Sequence, residues 1–269
     1  MAAPALAGLV TGYHCYRAEA APGVELHDAF FPSWATIRIA APGSPSWALQ
    51  LGSRRFEPVP AAVFVGPTSY AGYMTCSGGE LFGVGILPLG WATLFGGDLS
   101  RHANRAVPLS MVAPDAAKLV EALAEPGCDR VAAFDRWLQR RQQSTRPVDE
   151  TLKRLCQLLD DETLTRAEAL AEALGIAPRA LAALTRFSFG FTPKLLLRRR
   201  RFLKALSLVL TDQAGGSTRL HEVGYFDRSH FLRDSHLFLG CSIREFNRRI
   251  GPMARMAMQV RTQVMGAPV

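Results

Sequence analysis

One stretch constrains this chain more than any other: Gly224–Gly240, GYFDRSHFLRDSHLFLG. Gly224 suits the stop of a short preceding helix in the left-handed conformation. Asp227 has the side chain to cap the helix that follows by accepting an orphan backbone N–H. Phe226 just before the cap and Phe231 four residues after it are spaced for a hydrophobic staple. Phe231, Leu232, Ser235 and Phe238–Leu239 repeat at helical spacing and define one buried face. The other face carries Arg228, Ser229, His230, Arg233 and Asp234, side chains of the kind that hydrogen-bond phosphates and base edges. The pattern predicts the second half of a helix-turn-helix.

The charge distribution points the same way. The chain has 269 residues, room for two domains of about 100–150 residues, and a formal net charge of +8. Residues 1–147 hold 12 Lys and Arg against 11 Asp and Glu, whereas residues 179–255 hold 15 against 5. A near-neutral half joined to a basic half is the footprint of a sensor joined to a polyanion binder. A 48% hydrophobic content supports real cores. No apolar run reaches the roughly 18–20 residues of a membrane span, and the N-terminus lacks the basic start of a signal peptide. The five cysteines, Cys15, Cys76, Cys128, Cys156 and Cys241, are odd in number and never spaced as CxxC. That argues for reduced thiols in a cytoplasm.

In chain order, residues 1–90 read as β-structure. Ala35, Ile37 and Ile39 alternate with Thr36 and Arg38; Trp47, Leu49 and Leu51 alternate with Ala48 and Gln50. Ala61–Val65, Ser69–Cys76 and Glu80–Leu87 are further short runs, and Gly-Pro and Gly-Gly pairs punctuate them as turns. A small barrel or sandwich is expected. A helix over Pro114–Ala124 and another over Asp129–Arg141 follow, then a polar linker over 142–147 closing with Pro147. Everything beyond is helical: Asp149–Leu159; a helix from a Thr165–Glu168 capping box to Gly175; Arg179–Phe189; Thr192–Thr211; and a last helix opened by a Ser242–Glu245 capping box. Two helix-turn-helix units result, roughly 166–189 and 217–240. The twenty-residue helix between them spans about 30 Å, near the ~34 Å between successive major-groove faces.

The motif GYFDxSHFxRD, followed by GCSIREF, resembles the signature of the AraC/XylS family of bacterial transcription regulators, over roughly Val148–Ile250. FFPSWATIRI, FVGPT and GVGILPLGWAxLFG resemble the N-terminal domain of one AraC-type subset. The resemblance implies two domains of α+β class. The first is an N-terminal effector-binding, cupin-like small β-barrel with helices over 1–141. The second is a C-terminal all-α double helix-turn-helix (homeodomain-like) module over 148–251, ending in a tail over 252–269. The positions matching groove-facing residues of the second unit are Ser229, His230, Arg233 and Asp234, with Arg228 near the backbone. In the connecting helix, Arg198, Arg201, Phe202, Ala205 and Leu206 match a pattern whose arginines mix packing with phosphate contact.

The first unit departs from that pattern. Ala182 and Ala183 stand where base-contacting residues are usual, which leaves Arg179, Thr185 and Arg186 as polar candidates. A second departure is Arg219-Leu220, where the family carries an apolar residue followed by a small Ala. Both departures put sequence specificity in question more than DNA binding.

Enzyme motifs are missing: Gly83-Val-Gly85 is a lone GxG, and no GxSxG, HExxH or P-loop occurs. Neither a cofactor nor a metal is expected. An effector pocket in the β-domain would be lined by Trp34, Trp47, Phe64, Tyr70 or Tyr73. The expected function is a transcription regulator with duplex DNA as partner, with a small-molecule effector, RNA polymerase and a second copy as further partners. Two alternatives stay open: a metal-dependent or repair enzyme using the β-domain, for which Cys15 beside Arg17 is the thiol candidate, and a non-specific DNA-binding or interaction protein.

Overall fold

The computed structural model describes residues 2–143, 148–211, 220–252 and 254–256. The N-terminal part is built from antiparallel sheets. Strands β1 (Val10–Ala18), β8 (Gly79–Ile86), β3 (Ala35–Ala40), β6 (Ala62–Val65) and β9 (Ala106–Pro108) lie side by side in that order in one sheet. Strands β2 (Leu26–Phe30), β7 (Gly72–Cys76), β4 (Trp47–Leu51) and β5 (Arg54–Phe56) form the other. The alternation in β3 puts Ile37 and Ile39 on one face and Thr36 and Arg38 on the other. Ile37 and Ile39, with Phe64 and Val84, pack under the helices α1 (Pro88–Leu94), α2 (Ala117–Ala124) and α3 (Arg130–Gln143). The opposite face of the same sheet supplies Val63 and Val65 to a core shared with Trp47, Leu49 and Met74 of the second sheet. Arg38 is buried, its guanidinium 3.8 Å from the Phe30 ring centroid.

The C-terminal part is helical: α4 (Glu150–Asp160), α5 (Ala167–Leu174), α6 (Pro178–Phe189), α7 (Pro193–Thr211), a 3-10 turn (Leu220–Val223), α8 (Arg228–Leu239) and α9 (Ile243–Arg249). Its 19-residue connecting helix α7 spans about 28 Å. No described helix is long and apolar enough to cross a membrane. Of the expected linker, Gln142 and Gln143 belong to α3, and residues 144–147 lie outside the described residues, as do Arg219 and residues 257–269 of the tail. The expected Thr165 capping box does not form: α5 starts at Ala167, with Arg166 at the cap and no side-chain cap bond. At α9 the Ser242 hydroxyl does accept from the Glu245 N–H at 3.2 Å.

The helical part is packed directly against the sheets. The outer face of the second sheet and its flanking loops give Ala29, Phe31 and Ala71 to one apolar cluster with Phe202, Phe238 and Phe246. The Ala71 N–H donates to the Phe238 carbonyl (2.7 Å), and the Tyr73 hydroxyl to that of Leu239 (2.6 Å). Asp28, buried in β2, accepts from the N–H of Gly251 (2.7 Å) and of Ala254 (3.3 Å). On the first unit, Trp34 stacks edge-on against Phe189. Gly190, at φ +82°, approaches Pro67 so closely that a Cβ would lie 2.9 Å from its ring. Arg199 of α7 is 1% exposed. It donates to the carbonyls of Thr68 (2.9 Å) and Ser33 (3.2 Å), and its guanidinium lies 4.1 Å from the Trp34 ring centroid.

Two outcomes follow. Arg199→Met keeps the aliphatic stem and removes the donors, leaving two buried carbonyls without their charged partner. The denaturant midpoint should fall by the equivalent of about 2–4 kcal/mol, while Arg228→Ala on the surface stays within about 0.5 kcal/mol. In the β-domain, the Arg130 guanidinium, helped by Cys15 and Arg17, holds the Glu80 carboxyl down from its ordinary 4.5 to about 2. A depressed folded-state value stabilises above the unfolded one, so this contribution is present above about pH 4.5 and is lost as pH falls toward 2. Thermal midpoints measured across that window should fall more steeply for the wild type than for Glu80→Gln.

Candidate nucleic-acid interface

Local rules explain how α8 is presented. Gly224 takes φ +80°, the turn that lets the chain reverse before the helix. The Asp227 carboxylate accepts from the His230 N–H at 2.6 Å, capping α8. The expected staple is absent: Phe226 is 94% exposed. Tyr225 takes its place, its ring 5.2 Å from that of Phe231, with Phe202 at 5.9 Å from the same ring. Phe231, Asp234, Ser235, Phe238 and Leu239 form the buried face of α8. The exposed stripe is Ser229, Leu232, Arg233 and His236, flanked by Arg228.

Two of the expected groove residues therefore have other tasks. Asp234 is 0% exposed. A buried carboxylate has to be paired and hydrogen-bonded. Here Arg198 donates from Nε (2.8 Å) and pairs through Nη2 (2.6 Å) with Oδ1. Arg201 donates to Oδ2 (3.3 Å), and so does the Tyr225 hydroxyl (2.7 Å). Burial and that carboxylate push the Tyr225 phenol far above its usual range. His230 is half-buried and takes a hydrogen bond from Arg201 on Nε2 (3.1 Å), so its ring is turned toward this cluster. His236 was missed by sequence reasoning, although its spacing (three residues after Arg233, seven after Ser229) puts it on the same stripe.

The four consecutive arginines of α7 point to three different neighbours. Arg198 and Arg201 meet Asp234, and Arg201 also lies over Tyr225 at 4.8 Å. Arg199 enters the β-domain interface. Arg200 donates to the carbonyls of Leu159, Asp161 and Leu164, closing the end of α4 and the turn before α5. Arg198 and Arg201, expected to share packing and phosphate contact, are thus committed first to packing.

On α6 the exposed stripe is Arg179, Ala183 and Arg186. Thr185 is fully buried and donates back to the Ala182 carbonyl (3.3 Å), so it faces the core and not a groove. Further exposed cations lie on Lys194, Arg244 and Arg248.

The aromatic residues expected to line one pocket are dispersed. Trp34 and Tyr73 are at the contact with the helical part. Phe64 packs on Trp91 beneath α1, and the Tyr70 ring lies against Gly52. Trp47 alone of the five lines a small cleft, with Tyr16, Met74 and Glu80, whose volume of about 20 Å³ has room for a water molecule. Among the described residues no group of three or more His, Cys, Asp and Glu is placed to hold a metal ion. Cys15 donates to Glu80 (3.0 Å), and burial with that carboxylate pushes its thiol up, the reverse of the activation a nucleophilic cysteine needs.

Paired helices with one face locked in a core and a polar, basic stripe outside have the arrangement of a helix-turn-helix module. Residues 170–249 match the family model described as a helix-turn-helix domain. The C-terminal part of the chain is an AraC-type helix-turn-helix domain, which makes the chain a DNA-binding transcription regulator. No curated protein sequence matches it. Among solved structures, ToxT from Vibrio cholerae aligns with TM-score 0.49 at 12% identity, over 89% of this chain and 98% of that one. Unsaturated fatty acid-bound wild-type ToxT from Vibrio cholerae strain SCE256 aligns with TM-score 0.46 at 14% identity, over 90% and 97%. The AraC-like transcriptional activator CuxR gives TM-score 0.21 at 17% identity, over 80% and 78%. These are distant likenesses.

The division between buried and outward residues of α8 has a direct test. Removing the Asp234 carboxylate strands two half-buried arginines, so Asp234→Ala should lose about 3–5 kcal/mol of stability. Arg233→Ala should unfold within about 0.5 kcal/mol of the wild type. Equal unfolding midpoints for the two variants would contradict the assignment.

Proposed function

We propose that this regulator reads a specific duplex sequence in the major groove, chiefly with Ser229, Arg233 and His236 of α8. In this reading Arg228, Arg179 and Arg186 supply phosphate contacts, and the units on either side of α7 occupy adjacent grooves. The observation that carries it is the stripe of α8: its polar side chains are outward, and the face behind them is fixed by the buried Asp234 cluster. Arg in the groove clamps guanine O6 and N7, worth about 1–3 kcal/mol of discrimination. The α6 stripe has Ala183 between its arginines, which suits positioning more than reading.

The regulatory half of the proposal assigns the part that ends with α3 to sensing and dimerisation and residues 148–251 to DNA binding, in a cytoplasm that keeps the five thiols reduced. An effector that prefers one arrangement of the two parts shifts the population competent for DNA. Its support is the interface itself, where Arg199, Asp28 and Tyr73 tie sheets to helices.

The test is selection of sites from a random duplex library by the full chain, followed by binding at low and near-physiological salt. The expected result is a preference that survives salt. Arg233→Ala should lower affinity for the selected site by about 1–3 kcal/mol and relax the preference at one position. Arg179→Ala and Arg186→Ala should weaken selected and scrambled duplexes alike, with a shallower salt dependence. Equal binding of all duplexes, collapsing together with salt, would refute sequence reading.

A further inference from the structure

Phe226 is 94% exposed, yet it immediately precedes the Asp227 cap of α8. The place a staple would give it is already taken, because Tyr225 (2% exposed) and Phe202 cover the ring of Phe231. Burying Tyr225 turns its neighbour outward, to the start of the exposed stripe and beside the exposed Arg228 and Ser229. Among the described residues this nearly free phenyl ring sits beside charged and polar groups; the nearest exposed apolar side chain on α8 is Leu232, at 37%.

Helix-turn-helix proteins present the N-terminal residues of the recognition helix to base edges. In the major groove the one apolar group on offer is the 5-methyl of thymine, and a phenylalanine ring is among the side chains that contact it. We infer that Phe226 is a specificity-determining residue that packs on a thymine methyl, next to the bases read by Ser229 and Arg233. The inference rests on the proposed sequence reading by α8 and adds to it a base identity and a contact that involves no hydrogen bond.

The experiment uses the full chain and the site it selects. Each thymine in that site is replaced singly by deoxyuracil, which removes the methyl and keeps every hydrogen-bonding group. The wild type should lose about three- to tenfold in affinity at one or two positions, the scale of one or two buried methyl groups. Phe226→Ala should bind the thymine site more weakly by a similar factor and no longer distinguish thymine from deoxyuracil there. Phe226→Leu should keep part of the discrimination. Unchanged thermal midpoints for both variants are expected, since the ring makes little contact in the fold.

Retention of the thymine preference by Phe226→Ala overturns the inference. So does a wild type that prefers its site but ignores every methyl; in both cases sequence reading stands. A wild type with no preferred site removes the sequence reading and this inference together. A Phe226→Ala chain that weakens equally on every duplex assigns the ring to non-specific contact and also overturns it.

Discussion

A carboxylate without solvent contact has to be neutralised where it stands, and the second helix-turn-helix is built around that requirement. Asp234 lies on the buried face of α8, and its counter-charges are Arg198 and Arg201, three residues apart on α7. Two donors one helical turn apart, converging on one acceptor, fix the rotation of α8 about its own axis as well as its position along α7. The direction in which Ser229 and Arg233 point is a consequence of that lock. Apolar packing alone, being non-directional, would leave the rotation less well defined.

The rest of α7 extends the same logic. At 100° per residue, four arginines in a row face four directions, and three neighbours are arranged around the helix to receive them. Asp234 takes two, the carbonyls of the α4–α5 connection take Arg200, and the β-domain takes Arg199. One helix thereby joins both helix-turn-helix units to each other and to the sheets. A shift at Ser33 or Thr68 bears on the helix that orients α8 through a single side chain, which is a short physical path between the two parts of the molecule.

Much of this was legible in the sequence, and the exceptions have definite causes. The cap at Asp227, the stop at Gly224 and the 3.6-residue period located α8, and alternation located β3 and β4, because these are local rules. Asp234 was misplaced because residue type was allowed to outweigh spacing: it stands three residues after Phe231 and four before Phe238, inside the apolar stripe. Thr185, four residues after Leu181 and four before Phe189, is the same case. The staple failed for another reason: Tyr225 and Phe226 are adjacent aromatics, and only the tertiary fold decides which one turns inward. Long-range partners such as Arg199 with Thr68, or Asp28 with Gly251, leave no local pattern at all. The aromatic side chains of the β-domain looked like a pocket for that reason: composition reports that rings are present, not which of them meet.

The grip of the β-domain on α8 is made through main-chain oxygens. Ala71 and Tyr73 bond the carbonyls of Phe238 and Leu239, at the far end of the helix from Asp227. A carbonyl is the same whatever side chain its residue carries. Substitutions along the outward stripe can therefore change the surface this helix offers to DNA while leaving its attachment to the sheets untouched. A fold wired in this way lets descendants vary that surface without having to rebuild the contact between the two parts.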